Sequence, residues 1–255
     1  MHDNLIMRQG TVIITGGNRG IGLDITRTFV EAGYHVVVGA RSEYNLKNEF
    51  RDQITFVKVD VRNESDHVLL TEIALQKTDR VDCYINNAGF SEWRPIEEID
   101  DDFLDNILNT NLKGAFWGCK AAAKVLGPEG VIINISSIAG KRGSSNNAAY
   151  AASKFGMNGL TQSLAKELGP KQIRVLALCP VLISTDGLLD ALKNPHAPAN
   201  GNPEAFISNF AKGNAALSRL PTGREVGNMC VFLASPHASA MTGQCINIDC
   251  GVFPQ

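Results

Sequence analysis

Short, continuous runs of β-branched and aliphatic residues alternate with helix-length segments along nearly the whole chain, and no other feature restricts the possible folds as strongly. The runs are Thr11 to Thr15, His35 to Ala40, Ile54 to Val61, Val81 to Asn86, Val131 to Ser136, Arg174 to Cys179 and Gln244 to Asp249. Most are apolar throughout, as strands of a parallel sheet are when helices cover both of its faces. Seven such runs with helices between them predict a doubly wound α/β architecture, a mainly parallel sheet with helices on both sides. A length of 255 residues suits one domain of this kind, so a single domain over 1–255 is expected.

Helix signals fit between the runs. Ile21, Ile25 and Phe29 are spaced four apart on one face, and Gly33 follows as a stop. Ala148 to Leu168 is helical by pattern and ends at Gly169-Pro170. The region 181–222 is irregular, carries Pro195, Pro198, Pro203 and Pro221, and reads as a substrate lid with short helices at Leu188 to Leu192 and Glu204 to Leu217.

Charge narrows the partners. Lys and Arg number 24 against 26 Asp and Glu, a net charge of −2, with no basic run, which leaves a nucleic acid or an anionic membrane surface without an electrostatic footprint. The N-terminus, Met1-His2-Asp3-Asn4 and then a short apolar stretch holding Arg8, lacks the pattern of a signal peptide. No apolar run approaches the roughly 20 residues that cross a bilayer. The six cysteines lie mostly inside apolar segments and read as reduced core thiols, which together with the missing leader predicts a cytoplasmic protein. Cys245 and Cys250 lack zinc-knuckle spacing and the five histidines are isolated, so no metal site is expected.

The first run ends in Thr15-Gly16-Gly17-Asn18-Arg19-Gly20-Ile21-Gly22 and turns into a helix. Glycines there let the backbone approach a pyrophosphate, and the helix N-terminus receives its charge, as in a Rossmann-like dinucleotide site. The second run ends in Ala40-Arg41, where an NAD site places a carboxylate for the ribose hydroxyl. Arg41 and Arg19 instead favour the 2′-phosphate of NADP, with NAD still possible. Ser136-Ser137 closes the fifth run, and Tyr150 and Lys154 stand four apart at the start of the long helix. That spacing puts both on one face, where an ammonium lowers the pKa of a neighbouring phenol.

Taken together these residues resemble the short-chain dehydrogenase/reductase family over essentially the whole chain, and its 3-oxoacyl-thioester reductases and sugar dehydrogenases in particular. Thr15-Gly16-x-x-x-Gly20-Ile21-Gly22 matches the cofactor turn, Asn86-Asn87-Ala88-Gly89 the fourth-strand motif, and Asn111, Ser137, Tyr150 and Lys154 the catalytic tetrad. The resemblance implies NAD(P)-dependent hydride transfer between nicotinamide and a carbonyl or secondary alcohol. Tyr150 would be the acid or base and Ser137 the partner of the substrate oxygen. Lys154 would hold the nicotinamide ribose and Asn111 a proton relay. By the same resemblance Asp60 and Val61 lie beside the adenine, Asn87 steadies the central sheet, and Pro180 and Thr185 reach the nicotinamide. Two departures stand out: the family's Pro-Gly after the sixth strand is Pro180-Val181, and its Asp-Gly-Gly near the C-terminus is Asp249-Cys250-Gly251.

Substrate choice falls to the segments after Gly89, between Ser137 and Tyr150, and in 181–222. Phe90, Ser91, Glu92, Trp93 and Arg94 with Lys141, Arg142, Ser144, Ser145, Asn146 and Asn147 predict a mostly polar lining suited to a hydroxylated or anionic carbonyl compound. NADPH-dependent reduction of a 3-oxoacyl thioester or polar ketone, and oxidation of a sugar or polyol with NAD, are both open on this reading. A nucleotide-sensing binding protein would need neither Tyr150 nor Ser137. The resemblance further implies a homotetramer, and Phe103, Leu104, Ile107, Leu108, Phe116 and Trp117 are apolar residues for either a core or an interface.

Overall fold

The computed structural model describes residues 10–44 and 46–254. Its strands are β1 (Thr11–Thr15), β2 (His35–Ala40), β3 (Ile54–Lys58), β4 (Cys83–Asn86), β5 (Val131–Ile135), β6 (Arg174–Pro180) and β7 (Cys245–Ile248). The helices are α1 (Gly20–Glu31), α2 (Leu46–Phe50), α3 (Glu64–Thr78), α4 (Asp101–Leu108), α5 (Gly114–Val125), α6 (Ala148–Leu168), α7 (Asp186–Leu192), α8 (Pro203–Asn214) and α9 (Gly223–Ala234). The strands form one seven-stranded sheet in the order β3-β2-β1-β4-β5-β6-β7, and every pair is parallel. The order reverses between β1 and β4, so the strand ends open a crevice there, where doubly wound sheets bind ligands.

Alternation along each strand builds two cores. Val12, Ile14, Val36 and Val38 face Ile25 and Phe29 of α1 and Val226 and Leu233 of α9. Ile13 and Val37 face the other way, onto Leu70 and Ala74 of α3, Cys119 and Ala122 of α5 and Ala165 of α6. Both faces being covered is what makes the strands read as unbroken apolar runs. Gly33, at φ +82°, ends α1 as expected: its N–H donates to Val30 O at 2.9 Å and Tyr34 N–H to Phe29 O at 3.0 Å.

The boundaries differ from expectation where side chains take over from the ladder. The third strand stops at Lys58, short of Val61, because the chain turns to lay Asp60 across the crevice, where Asp66 Oδ2 accepts from Asp60 N–H at 2.7 Å. The fourth begins at Cys83, not Val81, and the seventh is trimmed to Cys245–Ile248, while the sixth runs one residue further to Pro180. In 181–222, α7 and α8 account for the two short helices, the second ending at Asn214, short of Leu217. Helices α4 and α5 run on into one another through a π turn at Asn109–Lys113, so the backbone stays helical from Asp101 to Val125. Phe103 and Ile107 are buried, whereas Phe116 is 48% exposed.

Neither departure from the family pattern opens the fold. Val181 is buried against Ala215 and Val252, its N–H donating to Ile248 O at 3.2 Å. Cys250 adopts φ +54°, a left-handed conformation uncommon without glycine, and Asp249 closes the turn by accepting from Gly251 N–H at 3.0 Å and Phe253 N–H at 2.8 Å.

Candidate active site

A cleft of about 1170 Å³ runs across the carboxyl ends of the strands. Every residue singled out above for catalysis or cofactor lines it, except Asn111 and Pro180. Pro180 lies at the end of β6 behind Ser137, whose Oγ is 3.5 Å from Pro180 O, and the wall is continued by Val181, Leu182 and Ile183 instead.

At one end the glycine turn is locked from several directions. Gly16 sits at φ +66°, and a Cβ on Gly22 would overlap Gly16 O, so only glycine lets α1 pack this close to the turn. Asn87 Nδ2 donates to Thr15 O at 2.9 Å and Gly16 O at 3.2 Å, while Thr15 Oγ1 accepts from Asn87 N–H at 3.0 Å and Ala88 N–H at 3.1 Å. Asn18 Nδ2 reaches Ser42 O at 2.7 Å, tying the turn to the residues after β2. Helix α1 follows Arg19 at its N-cap with no side-chain cap and no acidic residue in its first turn, which leaves its N–H groups and positive end to an anion. Arg19 and Arg41 are exposed in the same wall, and neither has a carboxylate partner among the described residues. Asp60 does have a partner: hydrogen bonds from Arg62 hold its carboxyl below the usual range, with Arg62 Nε 3.0 Å from Oδ1, and the charge of Arg41 adds to the effect. Ser42 and Arg62 line the cleft without having been singled out in the sequence, although Arg62 stands two residues beyond Asp60. A glycine cradle, an uncapped helix end and two exposed guanidinium groups together fit the pyrophosphate and adenosine half of a nicotinamide dinucleotide.

At the other end Ser137, just past β5, accepts from Ala139 N–H at 3.1 Å and stands close enough to Tyr150 to favour its ionised form. Lys154 is 4% exposed; its Nζ donates to Ile135 O at 2.8 Å and lies 5.6 Å from the centroid of the Tyr150 ring. Asn111 is fully buried behind this wall. The π turn aims it at Phe90, whose N–H donates to Asn111 Oδ1 at 3.0 Å and whose carbonyl accepts from Nδ2 at 2.8 Å, and Nδ2 also reaches Ser153 Oγ at 3.3 Å. Single π turns inside helices recur at functional sites because they re-aim a side chain without ending the helix. A Cβ on Gly89 would sit 3.0 Å from Asn111 Oδ1 and 3.8 Å from Lys154 Nζ, so this glycine keeps the two side chains close.

Burial governs the ionisation of the pair. It pushes the Tyr150 phenol up, Ser137 pulls it back, and Cys179 adds to the rise. It pulls the Lys154 ammonium down to about 8. The lowering of Tyr150 by Lys154 that the spacing suggests does not arise in the chain by itself: Nζ is turned to the Ile135 carbonyl, and burial sets the direction of the shift. Tyr150 is accordingly a protonated donor at neutral pH.

The substrate end is less polar than expected. Arg94 pairs with Glu92 and Asp100, each at 3.5 Å, and covers the Phe103 ring at 4.0 Å. Lys141 Nζ donates to Cys245 O at 2.6 Å, and Asn146 bridges Arg94 N–H and His196 O. These four hold the loops together and leave Ser91, Trp93, Arg142, Ser144, Ser145 and Asn147 in the wall with Phe90. Leu188, Ala191, Pro198, Phe206 and Phe210, from 181–222, supply an apolar side that sequence pattern did not reveal. Their amphipathic helices look like any surface helix until packing shows which stripe faces the cleft.

A family model described as enoyl-(acyl carrier protein) reductase matches residues 16–253. The chain is 33% identical, over 95% of its length and 96% of the relative's, to the 3-oxoacyl-[acyl-carrier-protein] reductase FabG of Chlamydia trachomatis. Its fold is similar to a variant of the actinorhodin polyketide ketoreductase with NADPH, at a TM-score of 0.88 and 29% identity, covering 96% of this chain and 98% of that one. It is also similar to a short-chain dehydrogenase/reductase of the glucose/ribitol dehydrogenase type from Brucella melitensis, at a TM-score of 0.87 and 28% identity over 97% and 98% of the two chains. The ordered motifs, the Tyr150–Lys154 geometry and these likenesses establish that the chain belongs to the short-chain dehydrogenase/reductase family of NAD(P)-dependent oxidoreductases.

Proposed function

We propose that this chain reduces the ketone of a 3-oxoacyl thioester, or of a comparable polar carbonyl compound, with NADPH as the donor. The reading rests on one arrangement above all: the Ser137–Tyr150–Lys154 group stands in the same cleft as a glycine cradle flanked by two arginines that pair with no carboxylate among the described residues. NADPH, when bound, supplies the hydride. The chain's own part is to bind, orient and protonate. Ser137 holds the substrate oxygen, and the Tyr150 hydroxyl gives that oxygen its proton. Lys154, a buried cation beside the Tyr150 ring, offsets the negative charge that develops there, and Asn111 keeps its surroundings fixed through Phe90. Gly16 to Gly22 would hold the pyrophosphate, Asp60 and Val61 the adenine, Thr185 the nicotinamide, and Arg19 and Arg41 the 2′-phosphate.

The second strand ends in Ala40-Arg41 with no carboxylate for a ribose 2′-hydroxyl, which supports NADP over the NAD-linked sugar dehydrogenase reading. The 3-oxoacyl assignment is supported by the name of the Chlamydia relative and the likeness to a ketoreductase. In this account 1–255 is one catalytic domain with 181–222 as its lid, working as a cytoplasmic homotetramer. All six cysteines are free thiols, which suits a reducing compartment, and no helix among the described residues is long and apolar enough to cross a membrane. Fluorescence titration with NADPH and NADH tests the cofactor: NADPH binds at least about tenfold more tightly, roughly 1.4 kcal/mol, and R41Q removes most of the difference. Equal affinities would remove the arginine argument.

A further inference from the structure

The arginines of this protein are not neutralised evenly. Among the described residues Arg27, Arg62, Arg80, Arg94, Arg219 and Arg224 each pair with a carboxylate. Arg174 is turned to the carbonyls of Leu233 and Ser235. Arg19, Arg41, Arg51 and Arg142 pair with no carboxylate among those residues, and three of these four, all but Arg51, line the one cleft. Arg19 and Arg41 sit at its nucleotide end. Arg142 sits at the other, in the loop that leaves Ser137 and returns to Tyr150, with its backbone N–H on Ile138 O at 3.1 Å.

The surroundings of Arg142 suit a receptor for an anion. Its guanidinium lies 5.4 Å from the Phe253 ring centroid, an aromatic support that steadies the group without neutralising it. Ser144 and Ser145 add hydroxyl donors on the same loop, and Phe206 and Phe210 line the cleft from α8. Of the acidic side chains in the wall, Asp60 is engaged by Arg62 and Asp190 by Lys193 at 2.8 Å. A planar guanidinium with its fork free recognises a carboxylate or phosphate in two parallel bonds, which a neutral substrate cannot offer.

We propose that Arg142 is a specificity-determining residue that receives an anionic group, carboxylate or phosphate, carried by the carbonyl substrate. The inference rests on the reductase reading above and deepens it by naming a charge the substrate bears away from its ketone.

The test compares kcat/KM for matched ketones in wild type, R142M and R142K. Acetoacetyl-coenzyme A against the N-acetylcysteamine thioester of acetoacetate isolates the phosphates. 4-Oxopentanoate against its methyl ester isolates a carboxylate. In R142M the ratio of anionic to neutral kcat/KM falls at least about tenfold for one pair, through KM more than kcat, and R142K restores part of it. The pair that responds identifies the anion. An unchanged ratio in both pairs, with wild type turning over every ketone, overturns the role of Arg142 and leaves the reductase reading intact. Failure of wild type to reduce any of the four overturns that reading and this inference with it.

Discussion

Lys154 is held in the cleft at the expense of the fold. Its ammonium is 4% exposed and has a carbonyl, not a carboxylate, as its hydrogen-bond partner, so burial lowers its pKa from 10.5 to about 8. A folded pKa below the unfolded one means that between those values the unfolded chain binds more protons, so stability rises with pH across that window. Below pH 8 the full penalty, about 3 kcal/mol, stands. K154M is therefore at least as stable as wild type at pH 7 in thermal melts, and wild type gains on it between pH 8 and 10. A melt in which K154M is several degrees less stable at pH 7 would mean that the lysine is not under this strain. In turnover the sign is opposite: carbonyl reduction declines as pH rises through about 8, where Lys154 loses its charge, and a rate–pH profile flat to pH 10 would exclude that role.

Among the elements, the strand-turn-helix unit from β1 to α1 leaves the least freedom. A methyl group on Gly22 would overlap the Gly16 carbonyl, so G22A must push α1 away from the turn that Asn87 holds. Dinucleotide affinity then drops at least about tenfold in a fluorescence titration, while far-ultraviolet circular dichroism stays close to wild type. Unchanged affinity would show that the turn yields without harm. This unit was legible in the sequence because glycine positions, strand run and helix face all point the same way. The same holds for α6, whose bounds follow from an apolar pattern closed by Gly169-Pro170. The π turn was not legible. Asn109 to Lys113 continues a helical pattern, and only the double hydrogen bond between Asn111 and Phe90, brought together by the fold, marks where the helix widens. Nor did the apolar side of the cleft declare itself, since Phe206 and Phe210 have ordinary surface-helix spacing. The pull of burial on Tyr150 was equally hidden, because spacing gives the distance to Lys154 but not the desolvation around it.

For the molecule as a whole, sheet order decides where the cleft lies: the reversal between β1 and β4 lays the proposed nucleotide-binding and catalytic residues along one crevice. The proposed tetramer has a surface to cover. Phe116 on α5 and Phe155 on α6 are each 48% exposed, large apolar side chains that a tetramer built on those helices would cover. Light scattering at micromolar concentration returns four times the 27.5 kDa chain mass, and a monomer mass would remove the tetramer from the account. The proposed role of Tyr150 as proton donor in carbonyl reduction is put to the test by mixing preformed NADPH complexes of wild type and Y150F with the N-acetylcysteamine thioester of acetoacetate and following nicotinamide absorbance. Wild type oxidises NADPH, whereas Y150F binds it with affinity within about twofold of wild type and turns over about 10²- to 10⁴-fold more slowly. Equal turnover by Y150F, or none by wild type under conditions where NADPH is bound, would contradict it.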